Sequence, residues 1–187
     1  MAVIDIPPRF RVATHGAATS DERTIVLAPS RAFGDGTHET TRMCLQALAA
    51  FAPRRAFRML DVGSGTGILS IGAAKLGGRA VGVEIDEAAN RAARHNASLN
   101  ELSLPFTTEW PAENERFDVV VANILRDVLL ALAPAIAARV ARPGVLVLSG
   151  LVMTDVPAIT ARYGPLLEHR RPEVFERDPW RALVWRF

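Results

Sequence analysis

Cysteine occurs once in this chain, at Cys44, so an internal disulfide and a metal site built from cysteines are both excluded. A lone reduced thiol suits a cytoplasmic protein. Lysine is as scarce. Of the 22 basic residues only Lys75 is lysine, and arginine supplies the rest. The arginines scatter, at Arg54, Arg55 and Arg58, at Arg91 and Arg94, and at Arg170 and Arg171, without a long basic run. The 22 basic residues against 20 acidic ones leave a net charge of +2, so no nucleic-acid surface is signalled and a solvated face is the simpler reading. No apolar run approaches the ~20 residues of a membrane span. The start lacks the basic-then-apolar build of a secretory signal. His15, His38, His95 and His169 show no metal-ligand spacing, and no metal is expected. Internal repeats and low-complexity tracts are missing too. What is present, 187 residues of which 49% are hydrophobic and 22% charged, suits one globular domain.

Apolar runs of strand length alternate with alanine-rich helical stretches, which predicts a parallel sheet flanked by helices. Strands are expected over 24–27, 57–62, 80–84, 104–108, 118–123 and 145–149. Helices are expected over 40–51, 67–76, 86–100, 128–139 and 154–163. Pro53 ends the first helix, Gly77-Gly78 the second, and Asp86 is placed to cap the third. The tail changes character: 167–175 and 180–187 read as two strands joined by a turn at Asp178-Pro179. Residues 1–20, with Pro7-Pro8 and a loop-like 16–20, read as an irregular segment before a single domain over 21–187.

The sharpest motif is Leu60-Asp61-Val62-Gly63-Ser64-Gly65-Thr66-Gly67, which follows a buried strand and opens a helix. Glycine serves where a backbone turns sharply or a ligand touches it, and such a loop is expected to aim backbone N–H groups at a ligand. A tight turn without a ligand is the plainer alternative. A dinucleotide fingerprint would need its third glycine where Ile68 stands. The spacing of Gly63, Gly65 and Gly67, with Asp61 upstream, is instead that of adenosyl-methionine enzymes, whose ligand has no pyrophosphate. Asp61, Gly63, Ser64, Gly65 and Gly67 are therefore candidate cofactor residues. Glu84 ends the next strand, 21 residues after Gly63 (84 − 63), where a carboxylate can accept both ribose hydroxyls. Asp86 competes with it, but capping a helix explains Asp86 adequately.

Ala32-Phe33-Gly34-Asp35-Gly36-Thr37-His38-Glu39-Thr40-Thr41 resembles the Ala-Phe-Gly-Thr-Gly-Thr-His-x-Thr-Thr signature of ribosomal protein L11 methyltransferases. The glycine loop, Val81-Gly82-Val83-Glu84-Ile85-Asp86, Val121-Ala122-Asn123-Ile124-Leu125 and Leu148-Ser149-Gly150 follow in that family's order. The resemblance runs from about Arg9 to the end. It implies a class I methyltransferase fold: α/β and Rossmann-like, a seven-stranded, mostly parallel sheet with a C-terminal antiparallel hairpin and helices on both faces. It implies S-adenosyl-methionine as cofactor and carries the family's cofactor positions onto Thr41, Gly63, Glu84 and Asn123. It also implies methylation of amino groups, lysine side-chain or α-amino, on a protein. Three features depart from the family's pattern. The methyltransferase-like region starts almost at Met1, without the family's separate N-terminal recognition domain. Asp35 stands for a threonine and adds a negative charge beside the cofactor loop. Arg126-Asp127 stands for the Ala-Gly that follows Asn-Ile-Leu at the substrate mouth. The last two imply a different acceptor surface.

Thr37, His38, Thr40 and Thr41 are expected to cover the cofactor from the start of a helix, with plain helix capping as the alternative. His38 reads as a structural histidine bonding the loop backbone rather than a proton acceptor. Asn123, ending a strand where open α/β sheets bind ligands, is the candidate for aiming an acceptor amine. Trp110 stacks on adenine or simply packs. Trp180 and Trp185 read as core, Tyr163 as a surface residue at a helix end, and Cys44 as a small buried apolar group. The expected function is N-methylation, with a protein or small-molecule amine as acceptor. Beside it stands a cofactor-binding module that is inactive or needs a partner chain for acceptor recognition. A nicotinamide-dependent oxidoreductase is disfavoured by Ile68 and the terminal hairpin.

Overall fold

In a computed structural model, which describes residues 3–14, 16 and 21–187, the strongest apolar runs form the middle of one sheet. The elements in chain order are β1 (Val3–Ile6), β2 (Phe10–Thr14), β3 (Thr24–Leu27), α1 (Glu39–Phe51), β4 (Phe57–Val62), α2 (Ile68–Lys75), β5 (Gly78–Val83) and α3 (Glu87–Leu99). There follow β6 (Phe106–Thr107), β7 (Phe117–Asn123), α4 (Arg126–Ala138), β8 (Val140–Val152), α5 (Val156–Tyr163), β9 (Glu173–Arg177) and β10 (Trp180–Arg186). The large sheet has the order β6-β5-β4-β7-β8-β10-β9. β6 through β8 run parallel along that order, and β10 pairs antiparallel with both β8 and β9. The expected mostly parallel sheet with a terminal hairpin is therefore the fold observed.

Alternation along each strand decides the layers. Met59, Val119, Val121 and Val147 face one side, against Leu45 of α1, Ile71 of α2 and Ala93 of α3. Leu60, Val120, Ala122 and Leu148 face the other, against Leu129 and Ile136 of α4 and Ile159 of α5. Both faces of the inner strands are covered, which is why they read as unbroken apolar runs. Among the described residues no helix is long and apolar enough to cross a membrane.

The start of the chain corrects an expectation. Instead of an irregular segment, β1 and β2 form a hairpin that turns at Pro7-Pro8, with Ile6 opposite Phe10. β2 then pairs in parallel with β3, so a boundary at residue 20 cuts through one three-stranded sheet. Ile6, Phe10, Val12, Ile25 and Leu27 are buried in the first core. Of the loop expected over 16–20, residues 17–20 lie outside the described residues, as do residues 1–2. β8 begins earlier than expected because Val140 already pairs with Phe117, before a register shift around Pro143-Gly144 that reads as a turn. The stretch 167–175 is not one strand: a 3-10 turn over Gly164–Leu167 comes first, and β9 starts only after Pro172. Tyr163 is buried rather than exposed, because α5 lies on α4. Its hydroxyl donates to Leu129 O (2.9 Å) and its ring stacks on Trp185 at 5.9 Å. Trp185 is core as expected, whereas Trp180 is half-buried against His38.

Candidate functional site

β5 and β6 lie to one side of β4, β7 and β8 to the other, so a crevice opens at the carboxyl ends of β4 and β7. Open α/β sheets take ligands at such a switch point. Gly63 leaves β4 with φ 73°, and a Cβ on it would lie 2.2 Å from Cγ2 of Ile124 across the crevice. Gly65 has φ 52°, and a Cβ there would lie 2.4 Å from the carbonyl oxygen of Phe33. A side chain at either place would strain the backbone and fill the crevice. The loop's N–H groups behave differently from the expectation. Gly63 N and Ser64 N both donate to Val83 O, Gly65 N to Glu84 Oε2, Thr66 N to Phe33 O and Gly67 N to Ser64 O. All five are engaged inside the protein. The loop therefore leaves room in the cleft and holds Glu84 at its edge, with none of these five N–H groups free.

Asp61, Ser64 and Gly67 shape this loop from behind, while Gly63 and Gly65 face the cleft. Asp61 is buried, and its Oδ2 accepts from Ser70 N (3.1 Å) and Ser70 Oγ (2.8 Å), which ties β4 to the first turn of α2. Its Oδ1 has no partner. Burial pushes its pKa up to about 7, against the two Ser70 bonds, and the nearby charge of Glu84 adds to the rise. Ser64 Oγ is likewise buried without a partner.

Glu84 lies where β5 ends, with its carboxylate on the cleft. Oε2 accepts from Gly65 N (3.2 Å) and Oε1 from Asp86 N (3.1 Å). Asp86 caps α3 through Ala88 N (2.8 Å), as expected. The cleft measures about 590 Å³. Ile85, Ala89 and Trp110 line it beside Glu84, and the guanidinium of Arg139 lies 5.9 Å from the Trp110 ring. Asn123, Thr40, His38 and Trp180 line it on the α1 side. Three large apolar side chains on its rim are open to water: Ile85 is 90% exposed, Leu125 75% and Phe33 54%. Apolar surface left open around a concave site marks a place where something binds.

Asn123 ends β7, where its Nδ2 donates to Thr41 Oγ1 (3.4 Å) and its Oδ1 is buried with no partner. Thr41 itself is buried in the first turn of α1. Residues 6–187 match the family described as ribosomal protein L11 methyltransferase (PrmA). The chain belongs to that family. It is 46% identical over 152 residues to the ribosomal protein L11 methyltransferase of Thiobacillus denitrificans, which covers 81% of this chain and 51% of that one. The chain spans about half the length of the curated relatives it matches. A crystal structure of ribosomal protein L11 methylase from Lactobacillus delbrueckii subsp. bulgaricus matches with a TM-score of 0.87 at 26% identity, covering 100% of this chain and 99% of that one. The 16S rRNA N2 G1207 methyltransferase of T. thermophilus, solved with AdoMet and guanosine, matches with a TM-score of 0.67 at 26% identity, over 83% of this chain and 45% of that one. The fold is that of class I methyltransferases.

In this L11 methyltransferase family member the signature around His38 divides in two. His38 caps α1: its Nδ1 accepts from Thr40 N (3.3 Å) and lies 2.7 Å from Thr40 Oγ1. Its ring makes edge contacts with Phe33 (5.3 Å) and Trp180 (4.7 Å). Thr37 instead lies outside the helix and away from the cleft. Its N and Oγ1 both donate to Asp35 Oδ1, at 2.9 and 2.6 Å. The two residues face a separate depression of about 320 Å³ beside β2 and β3. Partial burial works to raise the Asp35 pKa, but the Thr37 bonds outweigh it and hold the carboxyl below its usual value. The extra charge at Asp35 thus lies in that depression, which Thr66 of the glycine loop also lines, and not in the cleft. Arg126 is paired with Asp127 (2.7 Å) and with Asp155 (3.3 Å), so it bridges the start of α4 to the turn after β8. Phe33, Ile85, Leu125 and Trp180 escaped sequence reasoning. The first three sit inside quoted motifs, and their apolar character beside polar neighbours was the available signal.

Proposed function

We propose that this L11 methyltransferase family member binds S-adenosyl-methionine in the cleft and methylates an amine of a protein acceptor. The observation that carries the reading is Asn123 Oδ1, a buried acceptor with no donor at the ligand-binding end of the sheet. Leaving such a group unpaired costs ~1–3 kcal/mol, which an incoming N–H would recover. Thr41 fixes the carboxamide so that Oδ1 is the free end. Asn123 then accepts one N–H of a neutral amine and orients its lone pair. When bound, the cofactor would supply a methyl group on positively charged sulfur: the amine lone pair would form the new N–C bond in line as the C–S bond breaks and S-adenosyl-homocysteine leaves.

The residues present fit this cofactor. Glu84 has two oxygens with about four acceptor positions, of which the two backbone N–H bonds use only part. The remainder suits two ribose hydroxyls. Ile85 and Trp110 offer apolar surface for the adenine, and Gly63 and Gly65 leave space for the amino-acid portion. His38, Phe33 and Trp180 wall the side on which the acceptor enters and keep water from it. The relatives are named for ribosomal protein L11, so that protein is the first acceptor to test. The deciding experiment pairs calorimetric titration with S-adenosyl-homocysteine, using NAD as control, with labelled methyl transfer into purified ribosomal protein L11. Selective binding and transfer support the reading. Binding without transfer to L11, to lysine peptides or to cell extract points to the module that needs a partner chain. Preference for NAD would overturn the cofactor.

A further inference from the structure

Residues 28–37 cross the glycine loop as a strap, fastened at its first residue and again midway. Ala28 N donates to Asn96 Oδ1 (2.9 Å). Further along, Phe33 O accepts from Thr66 N (3.0 Å) and Gly34 O from Thr66 Oγ1. The strap lines the cleft through Arg31, Ala32 and Phe33 and ends at the cap of α1. Asn96 is buried in α3, and its Nδ2 donates to Thr66 O (2.9 Å). One carboxamide therefore holds the base of the strap and the glycine loop together. One helical turn on, Asn100 completes the edge of β3: its Oδ1 accepts from Val26 N (2.9 Å) and its Nδ2 donates to Val26 O (2.7 Å). Helix α3 thereby takes the place of a neighbouring strand for the small sheet.

We propose that Asn96 is a positioning residue that couples the order of the β1–β3 sheet to occupancy of the cleft. A ligand in the cleft steadies the strap and the glycine loop. Asn96 passes that restraint to Ala28 and so to β3. The coupling is reciprocal, so loosening the small sheet weakens binding by the same factor. No apolar side chain can replace Asn96 without stranding Thr66 O in the interior and leaving the half-buried Ala28 N without its acceptor.

The inference rests on the cofactor reading for its probe, S-adenosyl-homocysteine. Amide hydrogen exchange on the full chain, free and bound, reads the coupling, and calorimetry reads the affinity. In the wild type, binding should slow exchange at residues 24–28 as well as in the glycine loop. Asn96→Asp keeps an acceptor for Ala28 N but loses the donor to Thr66 O. It should leave the small sheet folded, bind about tenfold more weakly, and show no slowing at 24–28. Asn100→Ala should weaken binding alone yet add nothing in the Asn96→Asp background, a non-additive pair. Wild-type binding with unchanged exchange at 24–28, or additive effects of the two substitutions, overturns the coupling and leaves the cofactor reading intact. Failure of the wild type to bind overturns both.

Discussion

Replacing Glu84 tests the cofactor assignment most directly. Its carboxylate is fixed before any ligand arrives, by Gly65 N at 3.2 Å and Asp86 N at 3.1 Å. A ribose therefore meets a pre-ordered acceptor, and little side-chain entropy is lost on binding. Hydrogen bonds to a charged group contribute roughly 1.5–3 kcal/mol each, and two on one carboxylate are not fully additive. Glu84→Ala should then cost about 3 kcal/mol, which is on the order of a hundredfold in affinity for S-adenosyl-homocysteine. Glu84→Gln keeps one carbonyl oxygen but turns an NH2 group toward Gly65 N–H or Asp86 N–H, so about tenfold is expected. Calorimetric titration measures both. Thermal melts of the free variants separate a ribose contact from a loop that has simply come loose. Glu84→Ala with wild-type affinity would refute the ribose assignment. An affinity loss matched by a collapse of the melting temperature would assign Glu84 to the loop alone.

Three further outcomes follow from the geometry. Asn123→Ala should lower turnover by about tenfold or more while S-adenosyl-homocysteine affinity stays within about twofold, because only a long bond to Thr41 is lost; the reverse pattern would make Asn123 a cofactor ligand. Asp61 keeps its proton in the folded chain up to about pH 7, whereas its ordinary carboxyl value is 3.8, so the folded state binds the extra proton between them and stability falls as pH rises through that window. Thermal melts across it should decline for the wild type and flatten for Asp61→Asn; parallel profiles would refute this. Tyr163→Phe removes the donor to Leu129 O and should cost about 1 kcal/mol in denaturant unfolding, and no loss would mean that carbonyl finds another partner.

Strands β4, β7 and β8 were legible because burial on both faces leaves an unmistakable run of apolar residues. β1 and β2 were not: four and five residues around Pro7-Pro8 carry a turn signal stronger than the alternation of Ile6, Phe10 and Val12. Tyr163 could not be placed from its own neighbourhood, because its burial depends on α5 lying on α4. Glu84 and Asn123 stand out in the sequence because strand ends beside a glycine loop have few other uses, and both line the cleft. Thr37 and Thr41 belong to one motif, yet the helix begins between them. That start carries Thr41 inward to Asn123 and leaves Thr37 on Asp35. Asn96 and Asn100 look like ordinary polar positions of a polar helix. Their use emerges only when β3 docks beside them.

The glycine motif carries a broader lesson about what a loop can do. Its spacing points to the cleft that Gly63 and Gly65 line, but the expected free N–H groups are not there, since Gly63 through Gly67 are all engaged as donors. On the proposed reading, a ligand's polar groups are met by side chains brought from elsewhere, Glu84 from just past β5 and Asn123 from the end of β7. Its apolar surface must be met by Ile85, Leu125 and Phe33, which otherwise stand in water at a cost of ~25 cal/mol for each Å² left exposed. On that reading the selectivity of the site rests on three separate chain segments held in register. That is why the fastening of the strap to the glycine loop bears on binding as directly as the loop itself.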